Sequence, residues 1–257
     1  MSMKLSSKAK RVSLGCDGSC KGADFTHDIT MAFQPIVDLK RQEIFAFEAL
    51  VRGVDGRSAA EVLSCVDESN MFSFDQTCRV MAIQQAASLK MDVKLSINFI
   101  PNAVYEPENC IRSTLTASEE SGFPKDRLIF EVLEGERVAS RDHLASIFST
   151  YSSFGFMTAL DDFGEGYSGL NHLLRLRPDI VKMDMALIRD VDVDDRKRSI
   201  MRAMVNLTKD LGVKLISEGV ETENEIYALR ELGVELFQGY VLARPAIGEL
   251  PSPRMSF

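Results

Sequence analysis

With 257 residues, of which 45% are hydrophobic, the chain can bury a sizeable core, either as one α/β barrel or as two small domains. Its formal net charge of -8 argues against a nucleic-acid polymer as the main partner, because that binding is carried by clustered Lys and Arg. No apolar run approaches the roughly 20 residues that span a bilayer, the N-terminus lacks the apolar core of a signal peptide, and an odd count of cysteines favours reduced thiols, so a soluble cytoplasmic protein is expected.

Residues 1–27 are polar and without sustained period and are expected as a tail, leaving 28–250 as the folded domain and 251–257 as a C-terminal tail. In the first tail, Cys16 and Cys20 have a spacing that fits no standard metal motif and read as free thiols. Two β-rich runs follow, 31–39 and 44–52, joined by only "KRQE". A parallel crossover needs a dozen or more residues, so these two strands should form an antiparallel hairpin. Six further runs come at 94–100, 127–134, 156–163, 179–184, 214–220 and 236–243. Segments with helical periodicity separate them, as at 75–91, 142–155 and 198–212. Eight strands alternating with helices in this length predict an α/β fold, a TIM-type (β/α)8 barrel with one antiparallel strand; an open doubly wound sheet is the alternative.

Buried strands of a parallel barrel should be almost wholly apolar, yet nearly every run carries a polar residue. In order these are Gln34, Glu48, Asn98, Glu131 with Glu134, Asp161 with Asp162, Lys182 with Asp184, Glu218 with Glu221, and Gln238. A barrel builds its active site from the ends of several strands, which is where most of these residues fall. Carboxylates a few ångströms apart raise each other's pKa unless cations intervene. Oxygen ligands without a His or Cys cluster point to Mg²⁺ or Mn²⁺. Four or five acidic ligands suit two ions, roughly 3.5–4 Å apart, and make metal-assisted phosphodiester hydrolysis the natural reaction class.

Two motifs invite other readings. After Asp161 and Asp162 come Gly164, Gly166 and Gly169 in G-x-G-x-x-G spacing, the pattern of a dinucleotide-binding loop. That loop would follow the first strand of its sheet, whereas this one follows about the fifth, and two aspartates would repel a pyrophosphate. The glycines are therefore expected to let a loop turn sharply away from the acids. The acidic run 189–198 lacks the Gly and Glu that a calcium loop needs, with Asp195 and Met201 in their places, and reads as a solvated helix start.

The ordered stretches "FQPIVDL", "FEALVRG", "LSINFIP", "FEVLE", "LDDFGEGYSGL", "DIVKMD", "LISEGVET" and "FQGYVLARP" resemble the EAL-domain cyclic di-GMP phosphodiesterases, over about residues 30–248. The resemblance implies that Glu48, Asn98, Glu131 and Asp161 ligate one Mg²⁺ or Mn²⁺, that Asp161 bridges to a second ion, and that Asp162 helps to hold it. Glu218 would be general base or water-holding ligand, and Lys182 would position the attacking water. Asp184 and Gln238 would support metal waters, while Gln34, Leu50, Arg52 and Gln238 would grip phosphate and guanine. Glu134 would fix the loop of Gly164, Glu165 and Gly166, with Glu221 in a similar supporting role. The implied reaction opens cyclic di-GMP to linear pGpG in a protein that forms a homodimer through helices near the glycine loop. Family members usually have Thr where this chain has Glu165, which bears on loop-dependent regulation. A receptor that binds cyclic di-GMP without hydrolysing it is the alternative, and such receptors commonly lack metal ligands, all of which are present here.

Overall fold

The computed structural model describes residues 23–135, 140–166 and 169–257, so Cys16 and Cys20 lie outside the described residues. Along the chain run β1 (Ile29–Asp38), β2 (Glu43–Gly53), α1 (Ala59–Leu63), α2 (Met71–Ser88), β3 (Lys94–Asn98), α3 (Pro107–Cys110), α4 (Arg112–Ser121) and β4 (Leu128–Leu133). They are followed by α5 (Arg141–Ser153), β5 (Met157–Phe163), α6 (Gly169–Leu176), β6 (Ile180–Met183), α7 (Met185–Ile188) and α8 (Asp195–Leu211). The last elements are β7 (Lys214–Ser217), α9 (Glu223–Glu231), β8 (Leu236–Phe237) and β9 (Ala246–Ile247).

Strands β2 to β8 lie side by side in chain order and all in parallel, and β1 closes the ring between β8 and β2, antiparallel to both. This is the expected barrel with one reversed strand. The hairpin turn is set by Asp38, whose Oδ1 accepts the N–H groups of Lys40 (3.0 Å) and Arg41 (2.9 Å), with Gln42 in the left-handed region at φ 59°. Two details differ from the sequence pattern. The eighth run pairs only over Leu236–Phe237, because beyond it the backbone at Gly239 crosses against that of Val220, so closely that a Cβ would lie 2.0 Å from the Val220 carbonyl oxygen. The two residues of β9 add a short antiparallel contact to β1.

Packing divides into two layers. Between strands and helices lies the main apolar core, which contains Met91, Met183, Met201 and Met204. Inside the barrel a second cluster takes Ile36, Ala46, Ile129, Ala159, Ile180, Ile216 and Leu236 from seven different strands. Phe45 and Met157 pack beneath it, and the Lys94 and Lys214 ammonium groups stand 5.0 and 5.8 Å from the Phe45 ring centre. The barrel therefore has an apolar floor, and its polar residues belong to the layer above. Residues 251–257 form no helix or strand, yet Met255 and Phe257 pack against the core and the Arg254 N–H bonds the Leu242 carbonyl at 2.9 Å. Among the described residues no helix is long and apolar enough to cross a membrane.

Candidate active site

The register of the strands assembles the upper layer. In the β1–β2 ladder Gln34 stands opposite Glu48, and the two-residue period of β2 puts Glu48, Leu50 and Arg52 on one face, rising toward the mouth. On β3 the same period aligns Ser96 with Asn98, and Asn98 pairs in register with Glu131 of β4. Strand β5 breaks the rule. Between Leu160–Val181 and Phe163–Met183 its register slips, so that Asp161 and Asp162 together oppose the single residue Lys182 of β6. Such a bulge re-aims side chains. With Asp162 at φ 51°, two adjacent acids that would alternate across a regular sheet serve one centre.

The Lys182 ammonium lies at that centre. It stands 2.6 Å from Glu218, 2.7 Å from Glu131, 3.1 Å from Asp161 and 3.5 Å from Glu48. Glu48 also accepts from Asn98 Nδ2 (2.8 Å) and Gln238 Nε2 (2.7 Å), while Ser96 Oγ donates to Glu131. Burial opposes the charge on Lys182, but Asp161, Glu131, Glu218 and Glu48 hold it well above the ordinary lysine value. Three of the acids are also raised, which in their case favours the uncharged form. Burial, resisted by Lys182 and reinforced by Glu48 and Asp161, pushes Glu131 up to about 8. Burial and then the Asp161 charge raise Glu218 well above the carboxylate range, and burial with Asp161 and Asp184 brings Asp162 to about 6.

Carboxylate oxygens of Glu48, Glu131 and Asp161 lie within 4.8 Å of one another, as do those of Asp161, Asp162 and Glu218, so Asp161 is common to both groups. A third group joins Asp162 to Glu165 and Asp184. The donor set fits hard divalent cations: it consists of oxygens, it is short of positive charge, and burial together with neighbouring acids pushes Glu131 and Glu218 toward their uncharged forms. Gln238 Oε1, buried beside Glu48, has no hydrogen-bond partner among the described residues.

The remaining predicted residues are placed as follows. Glu134 reaches the glycine loop, accepting the Gly164 N–H at 2.7 Å, and Gly166 lies so close that a Cβ would sit 2.7 Å from Glu134 Oε1. Gly164, at φ 110°, packs on Leu187. These glycines serve a turn and a close approach, which accounts for their spacing without a pyrophosphate. Asp184 caps α7 through the Ala186 N–H at 2.8 Å. Leu50 and Arg52 are half-buried, with the Arg52 guanidinium on the neighbouring Val51 carbonyl. Glu221 forms an ion pair of 2.8 Å with Arg189, the residue just past α7. Ser96 was not among the expected site residues, although it shares the face of Asn98 two residues on, the one signal that marks it. Cys65 lies just past the end of α1 in a turn.

A family model described as the EAL domain matches residues 25–245. Among similar proteins of known description, the blue light- and temperature-regulated antirepressor BluF of Escherichia coli (strain K12) is 28% identical over 92% of this chain and 60% of its own length. The cyclic di-GMP phosphodiesterase NbdA of Pseudomonas aeruginosa is 28% identical over 84% of this chain and 29% of its own. This chain thus spans less than two thirds of either relative. A crystal structure of a standalone versatile EAL protein from Vibrio cholerae O395, in a c-di-GMP bound form, shares 49% identity with a TM-score of 0.87, covering 90% of this chain and 98% of that one.

Proposed function

This chain belongs to the EAL-domain family, whose members include cyclic di-GMP phosphodiesterases, and from that membership we propose that it hydrolyses cyclic di-GMP to linear pGpG with the aid of two divalent cations, Mg²⁺ or Mn²⁺. The observation that carries the reading is the shared position of Asp161 between two groups of carboxylates around Lys182. Glu48, Glu131, Asp161, Asp162 and Glu218, set against one ammonium, leave four uncompensated negative charges when all are ionised, which is the charge of two such cations.

Glu48, Asn98, Glu131 and Asp161 would hold one cation, and Asp161 with Asp162 the other. When bound, the pair supplies Lewis-acid charge for the attacking and leaving oxygens of a phosphodiester. The protein's own groups do the rest. Glu218, the most accessible of the four acids that touch Lys182 and 2.6 Å from its ammonium, takes the proton of the attacking water. Lys182 keeps its charge throughout and offsets negative charge that develops at phosphorus. Leu50 and Arg52, on the face of β2 that rises from Glu48, and Gln34, opposite Glu48 on β1, grip phosphate and guanine, and Gln238 holds the Glu48 carboxylate in place. Glu134 fixes the glycine loop beside Asp162.

We assign the protein to the cytoplasm, where the free thiols Cys65, Cys78 and Cys110 stay reduced, and to a homodimer. Leu170 and Leu174, exposed by 65% and 74% on one stripe of α6 directly after the glycine loop, support a partner copy at that helix.

Chromatography of cyclic di-GMP incubated with the protein and Mg²⁺ or Mn²⁺ tests the reading, beside Glu48→Ala and Glu218→Ala. Linear pGpG is expected from the wild type and not from either variant. Cyclic di-GMP that binds tightly but returns intact with both metals would replace hydrolysis with the receptor reading.

A further inference from the structure

Glu225 lies in the first turn of α9, is 1% exposed, and stands outside the cluster around Lys182. Its Oε2 accepts the N–H groups of Glu221 (2.9 Å) and Thr222 (3.0 Å), the reciprocal arrangement with Thr222 that starts many helices. A cap needs no more than that one oxygen. The other, Oε1, accepts the N–H of Asp190, 35 residues earlier, at 3.2 Å, with the Arg189 guanidinium 3.8 Å away. One buried carboxylate therefore ties the segment after β6 to the loop after β7.

Both segments carry site residues and are packed tightly against each other. The first begins at Lys182 and Asp184 and continues through α7; the second begins at Glu218. Gly219, at φ 63°, leaves room for Met185, since a Cβ there would be 2.5 Å from Met185 Cβ. On its other side α7 presses Leu187 on Gly164 of the glycine loop. Glu218 is held to β6 by its own N–H on the Met183 carbonyl, a long bond of 3.3 Å, and by its carboxylate on Lys182. The Arg189–Glu221 pair, with side chains 30% and 45% exposed, is partly screened by solvent and adds less anchorage of its own. The buried Glu225 carboxylate, with three backbone donors, is the strong link.

We propose that Glu225 is a positioning residue for phosphodiester hydrolysis: by joining the two loops it sets Glu218 against Lys182. The proposal rests on the hydrolysis reading above. Its test is pGpG formation by Glu225→Ala and Glu225→Gln, with Glu223→Ala as a control in the same helix turn, read as kcat and KM well below the unfolding temperature, together with amide hydrogen exchange. Because misplacement by about 1 Å costs on the order of 100-fold, Glu225→Ala should lose about tenfold or more in kcat, with KM within about threefold. Exchange should quicken in both residues 183–190 and 217–222. Gln keeps one acceptor oxygen and can serve the cap or the cross-loop bond but not both, so it should fall between the wild type and Ala, and it keeps the proposal testable if the Ala variant fails to fold. Glu223→Ala should match the wild type.

Unchanged kcat, a loss confined to KM, or faster exchange limited to residues 221–226 would each overturn the proposal in favour of a simple helix cap. If the wild type itself yields no pGpG, the hydrolysis reading falls and takes the kinetic claim with it, and the exchange pattern alone decides whether Glu225 joins the loops.

Discussion

At Glu131, 1% exposed, the effect of burying an acid can be read directly. Folding raises its carboxyl from 4.5 to about 8 and that of Asp162 from 3.8 to about 6, so each binds its proton more tightly in the folded than in the unfolded chain. Between pH of about 4 and 8 the folded, metal-free protein keeps protons that the unfolded chain has released. Its stability from these groups is complete below the unfolded values and is lost as pH rises through the folded ones. The Tm of metal-free protein should therefore fall from pH 5 to pH 8, and Glu131→Gln should flatten that fall. Added Mn²⁺ should raise Tm more at pH 8 than at pH 5, since metal and proton compete for the same oxygens. A thermal scan across pH with and without Mn²⁺ checks both, and a metal effect larger at pH 5 would contradict the assigned ligands. The acids themselves were legible in the sequence because a charge within an apolar run has no place in an ordinary barrel strand. Ser96 was not, since a hydroxyl in a strand is common and nothing but its period with Asn98 sets it apart.

Elements show where local pattern stops informing. Each of the eight barrel strands could be found from its apolar run, and the hairpin from its four-residue link, because both follow from chain geometry alone. The bulge at Asp161 and Asp162 could not: strict alternation would send the two side chains to opposite faces, and only the left-handed backbone of Asp162 brings them together. Helix α2 hides a second surprise. Asp75 and Arg79, four apart on a helix, look like a solvent-facing pair, yet they are buried, 2.7 Å apart. Arg79 also bonds Tyr151 Oη at 2.7 Å and lies 5.3–5.7 Å from the rings of Phe99, Phe130 and Tyr151, while Asp75 accepts the Ile100 N–H at 2.8 Å. The pair thus pins α2 to the exit of β3 and to α5. Removing one partner strands the other charge, so Arg79→Ala should cost about 3–5 kcal/mol in urea unfolding. The double variant Asp75→Leu, Arg79→Met should cost much less, because both charges leave together. Equal losses would show that packing rather than charge dominates there.

For the molecule as a whole, the count and order of strands made the barrel legible, since eight alternating units have few ways to close. What remained hidden was long-range: Glu225 resembles a local cap until its second oxygen is seen to reach Asp190. The apolar floor also has a bearing on how the protein would work in time. Ile36, Ala46, Ile129, Ala159, Ile180, Ile216 and Leu236 seal the barrel below the charged layer, which makes that layer a cul-de-sac. If the protein acts as proposed, ions and a dinucleotide would share one doorway, so cations should load first and be trapped beneath the nucleotide. In the Glu218→Ala variant, stripping of Mn²⁺ by a chelator in rapid mixing should slow several-fold once cyclic di-GMP is bound; an unchanged rate would mean that ions have a second way out. Traffic through such a chamber would be last in, first out, and under the proposed hydrolysis the pace of release would belong to the linear product as much as to the bond that was cut.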